Sequence, residues 1–199
     1  SALNLLKSGN DVLLIERGSY TPMNQIKEYS YDEMINKYNN AGLTLAHGTP
    51  NINYVEGSCF GGGSEINSGL YHRLPDPIFD SWKNEFSLEY EKKQLNQYYD
   101  QNENKLNISF ADKKDIPLAS LKLKKGSDEL NYKCIEIPRW VKKKNEKLVK
   151  QSMTQTYLQE YINLGGKYLL NTNVSKINKV NNKLELDLNS NNETYKIST

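Results

Sequence analysis

The sequence predicts an α/β fold in three parts: a helix–strand unit at the start, an insertion, and a helix running into a β-meander at the end. Three observations carry that expectation. A leucine-bearing segment closes on Gly9 and is followed by an unbroken apolar run, Val12-Leu13-Leu14-Ile15. Three consecutive glycines, Gly61 to Gly63, sit inside an otherwise ordered stretch. Near the end, Leu184, Leu186 and Leu188 alternate with polar residues after the pair Asn181-Asn182.

Bulk properties narrow the class. The chain has 199 residues, enough for one domain with a core or part of a larger one. Hydrophobic residues make up 37% and charged residues 25%, the balance of a polar globular protein. A net charge of +2 argues against a dedicated nucleic-acid or membrane-surface protein. No apolar run approaches the ~20 residues of a membrane span. Cys59 and Cys134 stand far apart, which disfavours a disulfide scaffold or a zinc site and favours a reducing, cytoplasmic-type compartment.

Taken in order, residues 1–9 read as the rear half of a helix, apolar through Leu3, Leu5 and Leu6 and capped by Gly9. Val12 to Ile15 read as a parallel strand covered on both faces. Tyr31 to Tyr38 read as a short helix, and Leu43 to Val55 as a looping segment. Asp76-Pro77 start a helix that carries Trp82. Leu88 to Leu106 read as a helix with Leu95, Tyr98, Tyr99 and Leu106. Residues 111–147 are lysine-rich without a period and read as a surface excursion. From Glu146 to Leu164 the spacing of Val149, Met153, Tyr157 and Tyr161 predicts one amphipathic helix, closed by Gly165-Gly166. Tyr168 to Ile177 is the first strand of the meander. Asn181-Asn182 turn it, Leu184 to Leu188 form the second strand, Asn189 to Asn192 turn again, and Tyr195 and Ile197 lie in the third. The helix at the start and the strand at the end lead to the expectation of an internal piece of a longer protein.

The chemistry concentrates in residues 57–73. Gly61, Gly62 and Gly63 remove every Cβ from one backbone segment, so another backbone or a flat charged ligand can approach to contact. Ser64 and Asn67 follow with donors suited to phosphate oxygens or a heterocycle edge. The strand ending Glu16-Arg17-Gly18 supplies a carboxylate where dinucleotide-binding βαβ units place the residue that bonds a ribose hydroxyl. Together they suggest a dinucleotide held by two separated pieces of one domain. Plainer readings stand beside this one. Glu16 could simply end a strand, the glycines could form a flexible loop, and Ser64 could cap a helix. The ordered flanks of the glycine run favour the ligand reading. His47 and His72 fit structural or surface roles, Cys59 fits a buried inert thiol, and Arg139 to Lys144 fit a solvated basic face better than a nucleic-acid patch.

The chain resembles the glucose-methanol-choline (GMC) family of FAD-dependent oxidoreductases. The pattern A-x-x-L-x-x-x-G-x-x-V-x-x-x-E-x-G is met by Ala2, Leu5, Gly9, Val12, Glu16 and Gly18. The glycine loop G-G-x-S-x-x-N-x-x-x-x-x-R is met by Gly61, Gly62, Ser64, Asn67 and Arg73. Pro75, Pro77 and Trp82 follow, then L-x-x-Y-Y-x-x-x-E-x-x-L at Leu95, Tyr98, Tyr99, Glu103 and Leu106. Residues 152–158 and Asn171 to Val174 resemble the family's helix and strand before the meander. The resemblance implies a partial FAD-binding, Rossmann-like domain with FAD as cofactor. It assigns cofactor binding to Glu16, Arg17, Gly18, Gly61, Gly62, Gly63, Ser64, Asn67, Gly69 and Val174. Within that set Glu16 would take the adenosine ribose, the glycines the pyrophosphate and flavin, and Val174 the adenine through its backbone. The family's late histidine base, with its His or Asn partner, and its N-terminal G-x-G-x-x-G match no position here, so no catalytic residue and no metal ligand is assigned.

The domain expectation is an FAD-binding part over 1–74, an insertion over 75–145, and a helix with β-meander of the FAD-binding domain over 146–199. The implied function is oxidation of CH–OH groups of a small alcohol, sugar or sterol, with hydride passing to flavin N5. Neither nucleic acid nor a transmembrane segment is expected, and the residues name no electron acceptor. Rival readings are a nicotinamide enzyme, disfavoured by the insertion and meander, and a catalytically incompetent remnant or binding-only flavin-fold domain.

Overall fold

The computed structural model describes residues 1–22, 25–144, 147–190 and 193–198. In chain order the elements are α1 (Ala2–Lys7), β1 (Leu13–Ile15), α2 (Tyr31–Lys37), β2 (Thr44–Ala46), β3 (Ile52–Tyr54), α3 (Gly63–Ile66), α4 (Asp76–Phe86) and α5 (Lys92–Leu106). They continue with β4 (Ile108–Ser109), α6 (Leu118–Glu129), β5 (Arg139–Lys144), β6 (Lys147–Lys150), a 3-10 turn (Met153–Gln155) and α7 (Tyr157–Asn163). The last four are β7 (Lys167–Leu169), β8 (Thr172–Val180), β9 (Lys183–Ser190) and β10 (Glu193–Ser198). The mixture is that of an α/β chain. It divides into two compact units, one of Ser1–Asn67 with Ser152–Thr199 and one of Ser68–Gln151.

In the first unit, β1 pairs in parallel with β7, Leu14 opposite Tyr168. The helix before β1 ends as a Schellman turn. Gly9 takes φ +83°, its N–H reaches the Leu6 carbonyl at 3.0 Å, and the Asn10 N–H reaches Leu5 at 3.2 Å. α1 packs on α7, burying Leu3, and Lys7 pairs with Glu160. Leu5 stays 51% exposed. The β1 strand is only half-buried, with Leu13 exposed, and is not covered on both faces as its apolar run suggests; β7 is its one sheet neighbour among the described residues. Tyr161 lies fully buried beneath this sheet, and its hydroxyl donates toward the carbonyls of Val12 (2.9 Å) and Lys167 (2.7 Å). Gly166 has no room for a side chain, since a Cβ there would sit 2.6 Å from Cδ1 of the Tyr161 ring.

The meander is antiparallel in the order β10-β9-β8. Asn181 (φ +48°) and Asn182 (φ +65°) form its first turn, the left-handed pair that a two-residue hairpin of this hand requires. The second predicted turn reaches Asn191 and Asn192, which lie outside the described residues. The predicted strand Tyr168 to Ile177 is two strands. Asn171 adopts φ +51°, so β7 stays with β1 and β8 leaves for the meander.

Two further expectations over this unit need correction. Residues 43–55 contain the β2–β3 hairpin, Leu45 opposite Asn53, rather than a loop. The predicted helix from Glu146 to Leu164 (Glu146 itself lies outside the described residues) is helical only from Tyr157 to Asn163. Val149 instead pairs across a hairpin with Lys142, and Met153 sits in the 3-10 turn. A spacing of four satisfies both an alternating strand and a helix face, and cross-strand pairing chose the strand.

The second unit contains α4, α5, α6 and the antiparallel sheet β4-β5-β6. α4 starts with Pro75 as N-cap, and Phe79 is its buried anchor. α5 begins at Lys92, four residues later than Leu88, where Glu91 and Gln94 form a reciprocal capping box. Residues 111–147 are not structureless. They hold α6, started by Pro117, and the basic run that becomes β5. Arg73 donates Nε to Glu103 Oε1 at 2.5 Å and Nη2 to Glu103 Oε2 at 2.6 Å and to Asp100 at 2.5 Å. Its guanidinium lies 5.5 Å from the centroid of the Tyr99 ring, and the Tyr99 hydroxyl accepts from the Leu74 N–H at 3.1 Å. Arg73 holds the Glu103 carboxyl below the usual range. The separated residues Arg73, Tyr99 and Glu103 therefore meet in one clamp. Gly69 (φ +69°) belongs to this unit, and a Cβ on it would stand 2.8 Å from the Trp140 ring.

Candidate functional site

Glu16 ends β1 by donating its N–H to Leu169 O at 2.8 Å and accepting from the Thr172 N–H at 3.0 Å. The side chain then curls back, with Oε1 accepting from the Gly18 N–H at 2.7 Å. That bond fixes the carboxylate at the strand end and leaves Oε2 without a partner among the described residues. The Asn171 N–H donates to Gly18 O at 3.1 Å, so the start of β8, with the half-exposed Val174, emerges beside the same turn.

The glycine loop folds directly onto this strand end. A Cβ on Gly18 would overlap the Ser58 carbonyl and stand 2.5 Å from Cys59 N, so the two backbones touch. Ser19 and Cys59 form a parallel bridge, the Phe60 N–H donates to Ser19 O at 2.9 Å, and Arg17 Nε reaches Ser58 Oγ at 3.4 Å. Gly57 makes a second close approach, with a Cβ position 2.5 Å from Gly62 C.

The three consecutive glycines have different surroundings. Gly61 (φ +102°) lies over the Glu65 side chain, with 2.8 Å from its Cβ position to Glu65 Cγ. Beyond their chain neighbours and the local helix backbone, no atom of the described residues lies within 4 Å of where a Cβ would stand on Gly62 (φ +57°) or Gly63. Gly63 has no positive φ either, so nothing described in this chain requires a glycine there. Two Cβ-free positions thus open onto empty space on a loop braced from the other side.

Ser64 turns inward. Its hydroxyl donates to Gly61 O at 2.7 Å and accepts from the Met153 N–H at 2.9 Å. It is not the cap of α3, whose N-cap is Gly62. Asn67 ends α3, exposed, with its N–H on Gly63 O at 3.0 Å. The predicted residues Glu16, Arg17, Gly18, Gly61, Gly62, Gly63 and Ser64 are brought together, with β8 and Val174 starting alongside. Gly69 lies in the other unit, where Trp140 accounts for its missing side chain. Both histidines are exposed. Sequence reasoning missed Gly57, Glu65 and Thr154. Gly57 could have been found as a further glycine in the same stretch, but Glu65 carries no sequence signal for its contacts.

Phe60 packs edge-on to Tyr20 (5.8 Å between centroids, 82°) and tilted against Tyr168 (5.1 Å, 32°). These rings line a cleft of about 140 Å³ with Thr154, Gln159, Ile162 and Leu170. Beside them Cys59 is fully buried. Burial first, then the Glu65 and Glu16 carboxylates, push its thiol up to about 11. Thiolate is the reactive form. Native alkylation with iodoacetamide at pH 8 is therefore expected to spare Cys59 and to modify the partly exposed Cys134. Denaturation should make Cys59 reactive, and peptide mapping reads both outcomes. A natively labelled Cys59 would contradict this burial.

The fold and site define an α/β domain in which a glycine loop is packed on an acidic strand end. Residues 32–195 match the model of the GMC oxidoreductase family. The chain belongs to the GMC oxidoreductase family, whose members are flavoproteins with an FAD-binding N-terminal domain. An uncharacterized GMC-type oxidoreductase of Sinorhizobium fredii is 31% identical over 184 residues, covering 87% of this chain and 36% of the relative. A long-chain-alcohol oxidase of Arabidopsis thaliana is 33% identical over 85 residues, 43% of this chain and 12% of the relative. An uncharacterized GMC-type oxidoreductase of Mycobacterium tuberculosis is 30% identical over 88 residues, 44% and 14% respectively. The chain thus aligns with 36% of the Sinorhizobium relative's length and with smaller shares of the others. No helix among the described residues is long and apolar enough to cross a membrane.

Proposed function

We propose that this chain forms part of the FAD-binding portion of an oxidoreductase that oxidises CH–OH groups of an alcohol, sugar or sterol. The observation that carries the reading is the backbone contact of Gly18 with Ser58–Cys59. It sets the Glu16 carboxylate beside a loop whose Gly62 and Gly63 lie open. A ligand with a ribose at one end and a flat, charged middle would use both features. Bound FAD supplies the hydride-accepting chemistry.

In this reading Glu16 Oε2 accepts from a ribose hydroxyl while Oε1 stays with Gly18. The backbone of Gly62 and Gly63 lies against the pyrophosphate and flavin, with Arg17 and Asn67 at the margins. Val174 offers backbone atoms to the adenine. Ser64 braces the loop instead of donating to the ligand, because its one proton is on Gly61 O. The alcohol class of substrate is supported by the long-chain-alcohol oxidases among the relatives, one of them 31% identical over 83 residues. The base that removes the hydroxyl proton is assigned to no residue of this chain.

The test is the visible spectrum of the purified full-length gene product. Oxidised-flavin absorption, FAD released on denaturation and bleaching by an alcohol are expected. A colourless protein that releases no FAD would overturn the proposal. A yellow protein that no alcohol, sugar or sterol bleaches would keep FAD binding and remove the substrate class.

A further inference from the structure

Beside the glycine loop, Glu65 makes contacts that point away from the open backbone. It lies in α3, two residues beyond the open Gly63, yet its carboxylate turns away from the open side. Oε1 accepts from Thr154 Oγ1 at 2.9 Å and from the Thr154 N–H at 3.3 Å. The same side chain packs under the Cα of Gly61. Thr154 is itself held, since Ser152 Oγ lies 3.2 Å from Thr154 Oγ1 and the Thr156 hydroxyl donates to Ser152 O at 2.8 Å. Because the Thr154 hydroxyl gives its proton to the carboxylate, Ser152 is the donor to Thr154. Ser152 is fully buried, with Thr154 at 9% and Thr156 at 8% exposure. One step away, Ser64 joins the same turn through the Met153 N–H.

We propose that Glu65 is a positioning residue for the FAD site, holding Gly61 to Gly63 in the shape that leaves Gly62 and Gly63 open by anchoring the loop to the Ser152–Thr156 turn. The inference rests on the FAD reading above. The physical reason is that Gly61 and Gly62 both have positive φ and no side chains of their own. The local bonds of Gly62 N–H to Cys59 O (2.8 Å) and of the Ser64 hydroxyl to Gly61 O (2.7 Å) are the loop's own restraints and do not tie it to the rest of the unit. A carboxylate taking two hydrogen bonds from a buried threonine supplies that constraint. Hydrogen bonds to charged acceptors are among the stronger ones. Losing the carboxylate leaves the Thr154 N–H and hydroxyl without their acceptor and opens a gap beneath Gly61.

The experiment uses the full-length gene product, stripped of flavin and titrated with FAD, in wild type, Glu65→Gln, Glu65→Ala, Thr154→Val and the Glu65→Ala/Thr154→Val pair. Glu65→Ala is expected to weaken FAD binding by about 30-fold and to alter the visible circular dichroism of the bound flavin. Glu65→Gln keeps an acceptor oxygen and should recover most of both. Thr154→Val should weaken binding by about 10-fold, and the pair should cost little more than Glu65→Ala alone, since both remove one interaction. The inference is overturned by FAD affinity and flavin dichroism unchanged in Glu65→Ala, or by strict additivity of the pair. If Glu65→Ala fails to fold, unchanged affinity in both Glu65→Gln and Thr154→Val with unchanged flavin dichroism in Thr154→Val overturns it, and a loss in Thr154→Val larger than in Glu65→Gln supports it. A wild-type protein that binds no FAD would instead sink the reading on which the inference rests.

Discussion

Gly18→Ala is expected to destabilise the protein by about 3 kcal/mol, because the new methyl group overlaps a backbone carbonyl rather than a movable side chain. The Ser58 carbonyl cannot yield cheaply. Its neighbours are tied to the strand end by the Ser19–Cys59 bridge and the Phe60 N–H bond to Ser19 O. Relieving the overlap means separating the glycine loop from the Glu16 turn. For a domain of this size the loss corresponds to a fall in melting temperature of roughly 6–12 °C. Glu16 and the loop would also part company, so FAD retention should fall with stability. The control is Gly126→Ala in α6, where no atom of the described residues beyond the helix's own backbone lies within 4 Å of the added methyl group. That change should stabilise by about 0.5–1 kcal/mol, as alanine does for glycine inside a helix. Thermal melts of the three proteins check the pair. An unchanged melting temperature in Gly18→Ala would mean that the two backbones do not touch.

Gly63→Val should do the opposite, leaving the fold intact and removing the ligand. Nothing described in the chain stands within 4 Å of the position its Cβ would take, and its φ is not one that favours glycine. The apoprotein should therefore melt within a degree or two of wild type. A ligand lying on the exposed backbone would collide with the new side chain. FAD affinity should fall by about 100-fold, with Gly63→Ala intermediate. Flavin content after purification and fluorescence titration with FAD both read the effect. Full FAD binding by a correctly folded Gly63→Val protein would place the cofactor somewhere other than on this loop. The two variants separate two uses of glycine that look identical in the sequence.

Much of the architecture was legible because its signals are local. Gly9 reads as a helix stop and adopts the left-handed conformation that a stop needs. Asn181-Asn182 reads as a turn and forms one, since asparagine tolerates positive φ. The apolar run of β1 was read as a parallel strand, and the pairing with β7 is parallel, although the two-faced cover expected with it is not there. The failures are equally physical. Val149 and Met153 sit four apart, a spacing equally good for a strand and a helix, and only the partner strand at Lys142 separates the two. Residues 43–55 hide a hairpin whose strands are three residues each, too short for the alternation of Ile52-Asn53-Tyr54 to stand out as a strand signal. α6 was hidden because its leucines are largely exposed, so no apolar face stands out against its lysines.

Residue order alone shows which positions lack side chains, where the carboxylate ends the first strand, and to which family pattern they conform. These are properties of single residues and short spacings. What each missing side chain makes room for emerges only in the folded chain. At Gly18 and Gly57 the vacancy is filled by another stretch of backbone, at Gly61 by Glu65, at Gly69 by Trp140, and at Gly62 and Gly63 by nothing described in this chain. Such a difference depends on which distant atoms fold over each position. Glu65 and Thr154, 89 residues apart, meet only once the chain has folded.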